Sequence, residues 1–228
     1  MPETTPTRFA RPCAALTLAL LPLAAQADRP LVTDDAVVLS PGTCQVEASA
    51  SRGPGQRWLA PGCSVAEHWE AGIGVGNVRS GGKYHRAIVI GAKAVLRPLS
   101  EEGIGVGAAV SEQRIAGPEA SRDQAVSLIV SVPLAQWARA HVNTGAVRHG
   151  ISHQRAATWA AALEATRGRG ALTLETFGER GASRGWQAGG RWTLVKDVLD
   201  ADAGYGELHD LDGRRRFATV GLTYTFQR

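Results

Sequence analysis

The chain has 228 residues, with 25 lysines and arginines against 21 aspartates and glutamates, a net charge of +4. A positive balance this mild and dispersed excludes a composition-driven case for nucleic acid as partner. The length suits one domain with a large core, or one mid-sized barrel.

Arg8 and Arg11 precede the apolar run Cys13 to Ala24, which closes on Ala25-Gln26-Ala27. These are the basic, apolar and A-x-A parts of a secretory signal peptide. As a membrane helix the run is too short, and Pro22 interrupts it. Cleavage after Ala27 takes Cys13 away and leaves 228 less 27, or 201, residues with 23 basic and 20 acidic side chains. No cysteine stands at a lipoprotein cleavage position, so no lipid anchor is expected. Cys44 and Cys63 remain, in a compartment that permits disulfides.

Residues 28–42 precede the first regular run and are expected either in the periplasm or folded back as a plug. They contain the apolar Ala36-Val37-Val38-Leu39 beside Asp34 and Asp35. From there period two dominates. Runs of alternating faces lie near 43–51, 57–65, 69–77, 84–96, 103–113, 123–134, 138–146, 156–165, 171–178, 185–194, 199–206 and 214–226. Many have the roughly nine to eleven residues that a tilted strand needs to cross a bilayer. Short connections such as Lys196-Asp197 alternate with longer, more polar ones such as 115–122, 147–155 and 207–213.

The aromatics fall at both ends of these runs. Trp58, Tyr84, Trp159, Trp186, Tyr205 and Phe217 lie near the longer loops, and Trp69, Trp137, Trp192, Tyr224 and Phe226 near the short turns. Two interfacial girdles are expected from this. A soluble β-sandwich also alternates, but its outer face would carry Lys, Glu and Gln, where these runs carry mostly Gly, Ala, Ser and Thr. The expected fold is therefore all-β: a transmembrane antiparallel up-and-down β-barrel of about twelve strands over 43–228.

The pentapeptide GIGVG occurs at 72–76 and again at 103–107. A dinucleotide fingerprint needs G-x-G-x-x-G between a strand and a helix, and neither the spacing nor the context fits. Read as strands, Ile73, Val75, Ile104 and Val106 face lipid, while Gly72, Gly74, Gly76, Gly103, Gly105 and Gly107 form a bare inner wall. Glu47 and Lys93 join the inner face. The opposite wall holds Arg139, His141, Glu164, Glu175, Arg191, Asp200 and Asp202, with Arg191 set against Asp202 by the turn at Lys196-Asp197. Such mixed charges either make a selective pore or pair and fill the lumen. Twelve strands lie between the filled eight-stranded and the open sixteen-stranded cases. If residues 28–41 do fold inside, the glycines leave room for them, and Arg139 or Arg191 would pair with Asp34 or Asp35.

A hairpin about Gly53-Pro54 sets residue 44 against residue 63, which predicts a Cys44–Cys63 disulfide. Other motifs lack context. Gly181-Ala182-Ser183-Arg184-Gly185 matches the nucleophile elbow but lies between two strands, not at a strand-to-helix turn. His149 and His153 sit in a loop without nearby Cys or Asp ligands, and Asp210-Leu211-Asp212-Gly213 lacks the downstream glutamate of a calcium loop. No catalytic residue, metal or cofactor is expected. The alternatives to a channel are a hydrolase on the same barrel, marked by a Ser–His pair near the membrane boundary, and a closed structural barrel.

Thr33-Asp34-Asp35-Ala36, Pro41-Gly42-Thr43-Cys44-Gln45-Val46-Glu47, Ala60-Pro61-Gly62-Cys63 and the ending Val220 to Phe226 together resemble the phenol-degradation meta-pathway (MetA-pathway) family of Gram-negative outer-membrane proteins, transporters with barrel folds. The resemblance implies passage of small compounds, aromatic ones included. Outer-membrane lipid and a small-molecule solute are the expected partners. The barrel-assembly machinery is a third, reading the terminal aromatic Phe226, which Gln227 and Arg228 follow here.

Overall fold

The computed structural model describes residues 31–53, 55–80, 82–117, 120–211 and 213–228. The expected signal peptide lies outside the described residues. Twelve strands follow one another: β1 (Thr43–Arg52), β2 (Gln56–Ala66), β3 (Trp69–Ser80), β4 (Lys83–Arg97), β5 (Gly105–Ile115), β6 (Ser121–Ala135), β7 (Ala138–Arg148), β8 (Arg155–Arg167), β9 (Gly170–Glu179), β10 (Ser183–Val195), β11 (Leu199–Asp210) and β12 (Gly213–Gln227). Each pairs antiparallel with the next, and β1 pairs with β12 from Thr43↔Gln227 to Arg52↔Ala218, closing the barrel. Closure leaves no strand edge with unpaired N–H and C=O groups, the condition for a sheet in hydrocarbon.

The faces are inverted relative to a soluble protein. On β9, Leu172 and Leu174 are 71% and 54% exposed, while Thr173 and Glu175 are buried. Ile73, Ile88, Leu128, Val142 and Leu222 are likewise exposed. An apolar exterior around a polar interior costs free energy in water and is stable only where the surroundings are lipid. That inversion decides against the sandwich.

The strands run further into the loops than alternation alone suggests. β11 continues to Asp210, so little of 207–213 is loop. β5 begins at Gly105, two residues later than expected, and Gly103 lies in the turn before it, where its carbonyl accepts from Ser100 N at 3.2 Å. Gly103 is thus not a lumen-lining strand residue. Nine of the eleven aromatics face outward near the two ends. Trp58 and Phe217 do not. Trp58 shares a face with buried Gln56, and Phe217 is 5% exposed inside the barrel. Nearness to a loop had suggested a girdle for these two, but strand parity decides the face.

At the loop end, outward positions carry arginine on almost every strand. Arg52, Arg57, Arg79 and Arg86 come from β1–β4, Arg114, Arg122, Arg148 and Arg155 from β5–β8, and Arg184, Arg214 and Arg216 from β10 and β12, all exposed. At the turn end, Cys44 and Cys63 face each other in the β1–β2 register and form a disulfide across 19 residues of chain.

Candidate functional site

The lumen contains the chain's own N-terminal segment. Thr33 and Ala36 are 0% exposed, and Leu31, Asp34 and Asp35 are also buried. The segment enters at the turn end beside β1, where Thr43 N donates to Ser40 O at 3.0 Å. It then climbs along the wall formed by β3 to β9.

An amide removed from water must find another acceptor, and here lumen side chains supply most of them. Leu39 N donates to Glu70 Oε2 at 3.3 Å, and Ala36 N donates to Ser131 Oγ at 2.9 Å. Asp34 N donates to Asn143 Oδ1 at 2.6 Å, while Asn143 Nδ2 donates back to Asp34 O at 2.9 Å. Glu175 receives Val32 N at 2.8 Å, Thr33 N at 2.9 Å and Thr33 Oγ1 at 2.8 Å. One backbone bond joins the set, from Leu99 N to Ala36 O at 3.2 Å.

The charges are arranged around one cation. Lys93 Nζ lies 3.2 Å from Asp34 Oδ1 and 3.3 Å from Asp35 Oδ1. Burial pushes the Asp34 carboxyl up to about 8 against the pull of Lys93, and the negative charges of Asp35 and Glu70 add to the rise. Two carboxylates of the segment therefore compete for one ammonium.

Arg139 and Arg191, the partners expected for these aspartates, do not take part. The segment lies on the glycine side of the barrel, within reach of Lys93, while Arg191 forms an ion pair with Glu164 at 3.7 Å and Arg139 is exposed near the turn end. Arg191 stands opposite Asp202 in the β10–β11 register.

Nor is the glycine wall bare. A Cβ at Gly105 would sit 2.7 Å from the Ala36 Cβ, so glycine is what lets the segment approach β5. A Cβ at Gly74 would meet Val89 Cγ1 at 2.6 Å, and one at Gly76 the Trp58 ring at 2.6 Å. Gly72 and Gly107 share this face. Above the segment, Ala160, Phe177, Leu208 and Phe217 form an apolar layer against which Val32 packs.

Of the other expected lumen residues, Lys93, His141, Glu164, Glu175 and Asp202 are buried, and Glu47 and Asp200 are half-buried on the inner face. Glu70, Ser131 and Asn143 were not singled out from the sequence. Their signal was parity, since each occupies an inner position of its strand. His141 Nδ1 lies 2.8 Å from Ser131 Oγ, a Ser–His contact that connects β6 to β7 inside the barrel. Among the described residues no group of three His, Cys, Asp or Glu side chains could hold a metal ion.

A closed barrel with lipid-facing leucines, a charged interior and an inner segment held by lumen side chains defines an outer-membrane, porin-like β-barrel. The chain belongs to the family described as uncharacterised conserved protein UCP029691, whose model matches residues 15–226. No curated protein matches it in sequence. Among solved structures it is similar to the KdgM porin in complex with disordered oligogalacturonate, at 12% identity and a TM-score of 0.65, over 81% of this chain and 99% of that one. It is also similar to the COG4313 outer membrane channel from Pseudomonas putida F1, at 10% identity and 0.59, over 84% and 98%, and to the NanC porin, at 7% and 0.58, over 79% and 98%. At such identities the likeness carries the fold alone.

Proposed function

We propose that the protein is a non-catalytic outer-membrane channel for small solutes, with residues 31–41 acting as a plug that limits passage. One observation carries this reading. The segment's polar anchors all lie on β3 to β9, while on the other wall Gln56 Nε2, Asp200 Oδ1, Arg215 Nε and Thr219 Oγ1 are buried with no protein partner among the described residues, as are both side-chain polar atoms of Gln113 on β5. Buried polar atoms of that kind are satisfied by water, so a wet lane runs beside the plug along β10, β11, β12, β1 and β2. Glu47, Asp200 and Asp202 border the lane against Arg191, so an anion meets more like than opposite charge there. An acidic oligosaccharide such as the one named with the KdgM porin fits poorly. The small compounds implied by the meta-pathway resemblance fit better, and Phe226 on the last strand supplies the aromatic that the assembly machinery would read.

Planar-bilayer recording tests the reading. The purified protein should show small or intermittent conductance, and deleting residues 28–41 should enlarge it. A correctly folded deletion barrel that conducts nothing would overturn the channel.

The Ser131–His141 contact favours a second reading, a hydrolase. Against it, Ser131 is 0% exposed and its Oγ already accepts from Ala36 N. Ester hydrolysis by the deletion barrel that vanishes on Ser131→Ala would replace the channel with an enzyme.

A further inference from the structure

The outward face of the strands carries only two carboxylates among the described residues, Glu112 and Glu207, and both stand at the loop end among the arginines. Glu112 bonds Arg114 and Arg122, each at 2.7 Å, and Glu207 bonds Arg214 at 2.6 Å. That leaves most of the outward arginines on the strands without an acidic neighbour on that face among the described residues. Nowhere is the excess clearer than on β5 to β8, where Arg114 faces Arg122 and Arg148 faces Arg155 in register. Like charges directly opposite each other destabilise a sheet. Glu112 relieves the first pair, but Arg148 and Arg155 have no acidic partner among the described residues.

Their height on the barrel identifies the missing anion. Val110, Val126 and Trp159, the outward residues a few positions further down the same strands, are all exposed and apolar. The arginines thus stand at the level of lipid headgroups, above a surface that hydrocarbon covers. The turn end differs: Trp69, Leu134, Trp137, Trp192 and Leu194 hold outward positions there, and the described strands bring only Arg97 and Arg167 to it as outward cations, against eleven arginines at the loop end. An asymmetric charge belt of this kind matches an asymmetric bilayer whose outer leaflet is a phosphorylated glycolipid. The planar guanidinium also suits phosphate, which it can grip with two parallel N–H bonds.

We propose that the outward arginines Arg114, Arg122, Arg148 and Arg155 on β5–β8 form a binding site for the phosphate groups of outer-leaflet glycolipid. This rests on the outer-membrane reading above, but not on conduction. A barrel that binds the lipid and passes no current would sink the channel and leave the site standing.

The test uses the full mature protein in detergent, titrated with bis-phosphorylated lipid A and followed by native mass spectrometry. Replacing all four arginines with glutamine should weaken binding on the order of a hundredfold, since each cation at an anionic lipid surface contributes about fivefold before screening. Dephosphorylated lipid A should bind the unaltered protein as weakly as the variant binds the phosphorylated form. Inorganic phosphate at equal phosphate concentration should not compete. Equal affinity for the two lipid A forms, effective competition by free phosphate, or undiminished binding by the folded variant would each overturn the proposal. The comparison of lipid forms needs only the unaltered protein, so it decides the matter even if the fourfold variant fails to fold.

Discussion

Glu175→Ala is the most direct perturbation of the plug. The carboxylate accepts Val32 N, Thr33 N and Thr33 Oγ1, all between 2.8 and 2.9 Å, so one truncation removes three anchors at once. A hydrogen bond to a charged group contributes a net of about 1.5–3 kcal/mol. Three donors on one carboxylate do not add in full, and when the segment withdraws, both sides regain water. A loss of about 3 kcal/mol is therefore the working figure, a shift of roughly a hundredfold in the seated-to-withdrawn ratio. Amide hydrogen exchange reads that ratio directly, because residues 32–36 are protected only while seated. Their exchange should quicken by about two orders of magnitude, with the strand amides of β8 to β10 unchanged and closed dwell times in bilayer recordings shortened in parallel. Glu179→Ala on the same strand removes a carboxylate that binds His149 at 2.8 Å and should leave residues 32–36 as they were. Unchanged exchange at 32–36 in a folded Glu175→Ala barrel would refute the anchoring argument.

Three further outcomes follow from the same geometry. Asp34 titrates near 8 when seated and near its ordinary 3.8 when released into water; seating is therefore strongest below about pH 4 and weakens as pH rises toward 8, so open probability should increase across that window, and Asp34→Asn should flatten the profile. Gly105→Ala places a methyl 2.7 Å from Ala36 Cβ and 2.8 Å from Leu99 N, and should raise conductance by displacing the segment; an unaltered current from a heat-modifiable barrel would contradict the close approach. Purified without reductant, the protein should show no free thiol at Cys44 or Cys63, and reducing their bond should lower the temperature of barrel unfolding, the loop closure being worth about 3 kcal/mol.

Period two made the strands legible because a barrel wall has one face in lipid and one in the lumen, and no helix or second layer interferes. The β1–β2 register can be counted from the hairpin at residues 53–54, which is why the sequence alone pairs Cys44 with Cys63. Parity also put Glu175, His141 and Lys93 on the inner face. What it could not supply was the neighbour across the lumen. That distance depends on the path of a segment with no strand pattern of its own, so Lys93 rather than Arg191 became the partner of Asp34. Trp58 and Phe217 show a related limit: their height along the chain suggests a girdle, but their parity turns them inward, Trp58 beside Gln56 and Phe217 against Leu208. Gly103 illustrates a third, since a motif copied twice need not take the same structure twice. The bulge at Val95/Arg97 and the turn after it displace the second copy, and only its last three residues enter β5.

The way the segment is held bears on whether it can leave. No strand of the barrel depends on it: β1 to β12 close on one another through their own ladder, and apart from the Leu99 bond the segment is anchored by side chains projecting into the lumen. Those side chains are polar enough to accept water in its place. The junction is also free to turn. Gly42 has a φ of +79° with nothing within 4 Å of where a Cβ would lie, and it is fixed on one side by Arg228 N donating to its carbonyl at 2.8 Å. A segment hinged there can swing toward the turn end without unpairing Thr43 from Gln227. What resists such a swing is the set of side-chain anchors from Glu175, Asn143 and Ser131, the apolar contacts of Val32 and Ala36, and the Lys93 ion pair; what opposes them as pH rises is the cost of keeping the Asp34 charge buried beside Asp35 and Glu70. Release of the segment would therefore require no rearrangement of the wall, so that in the proposed channel the stability of the barrel is separate from the control of passage.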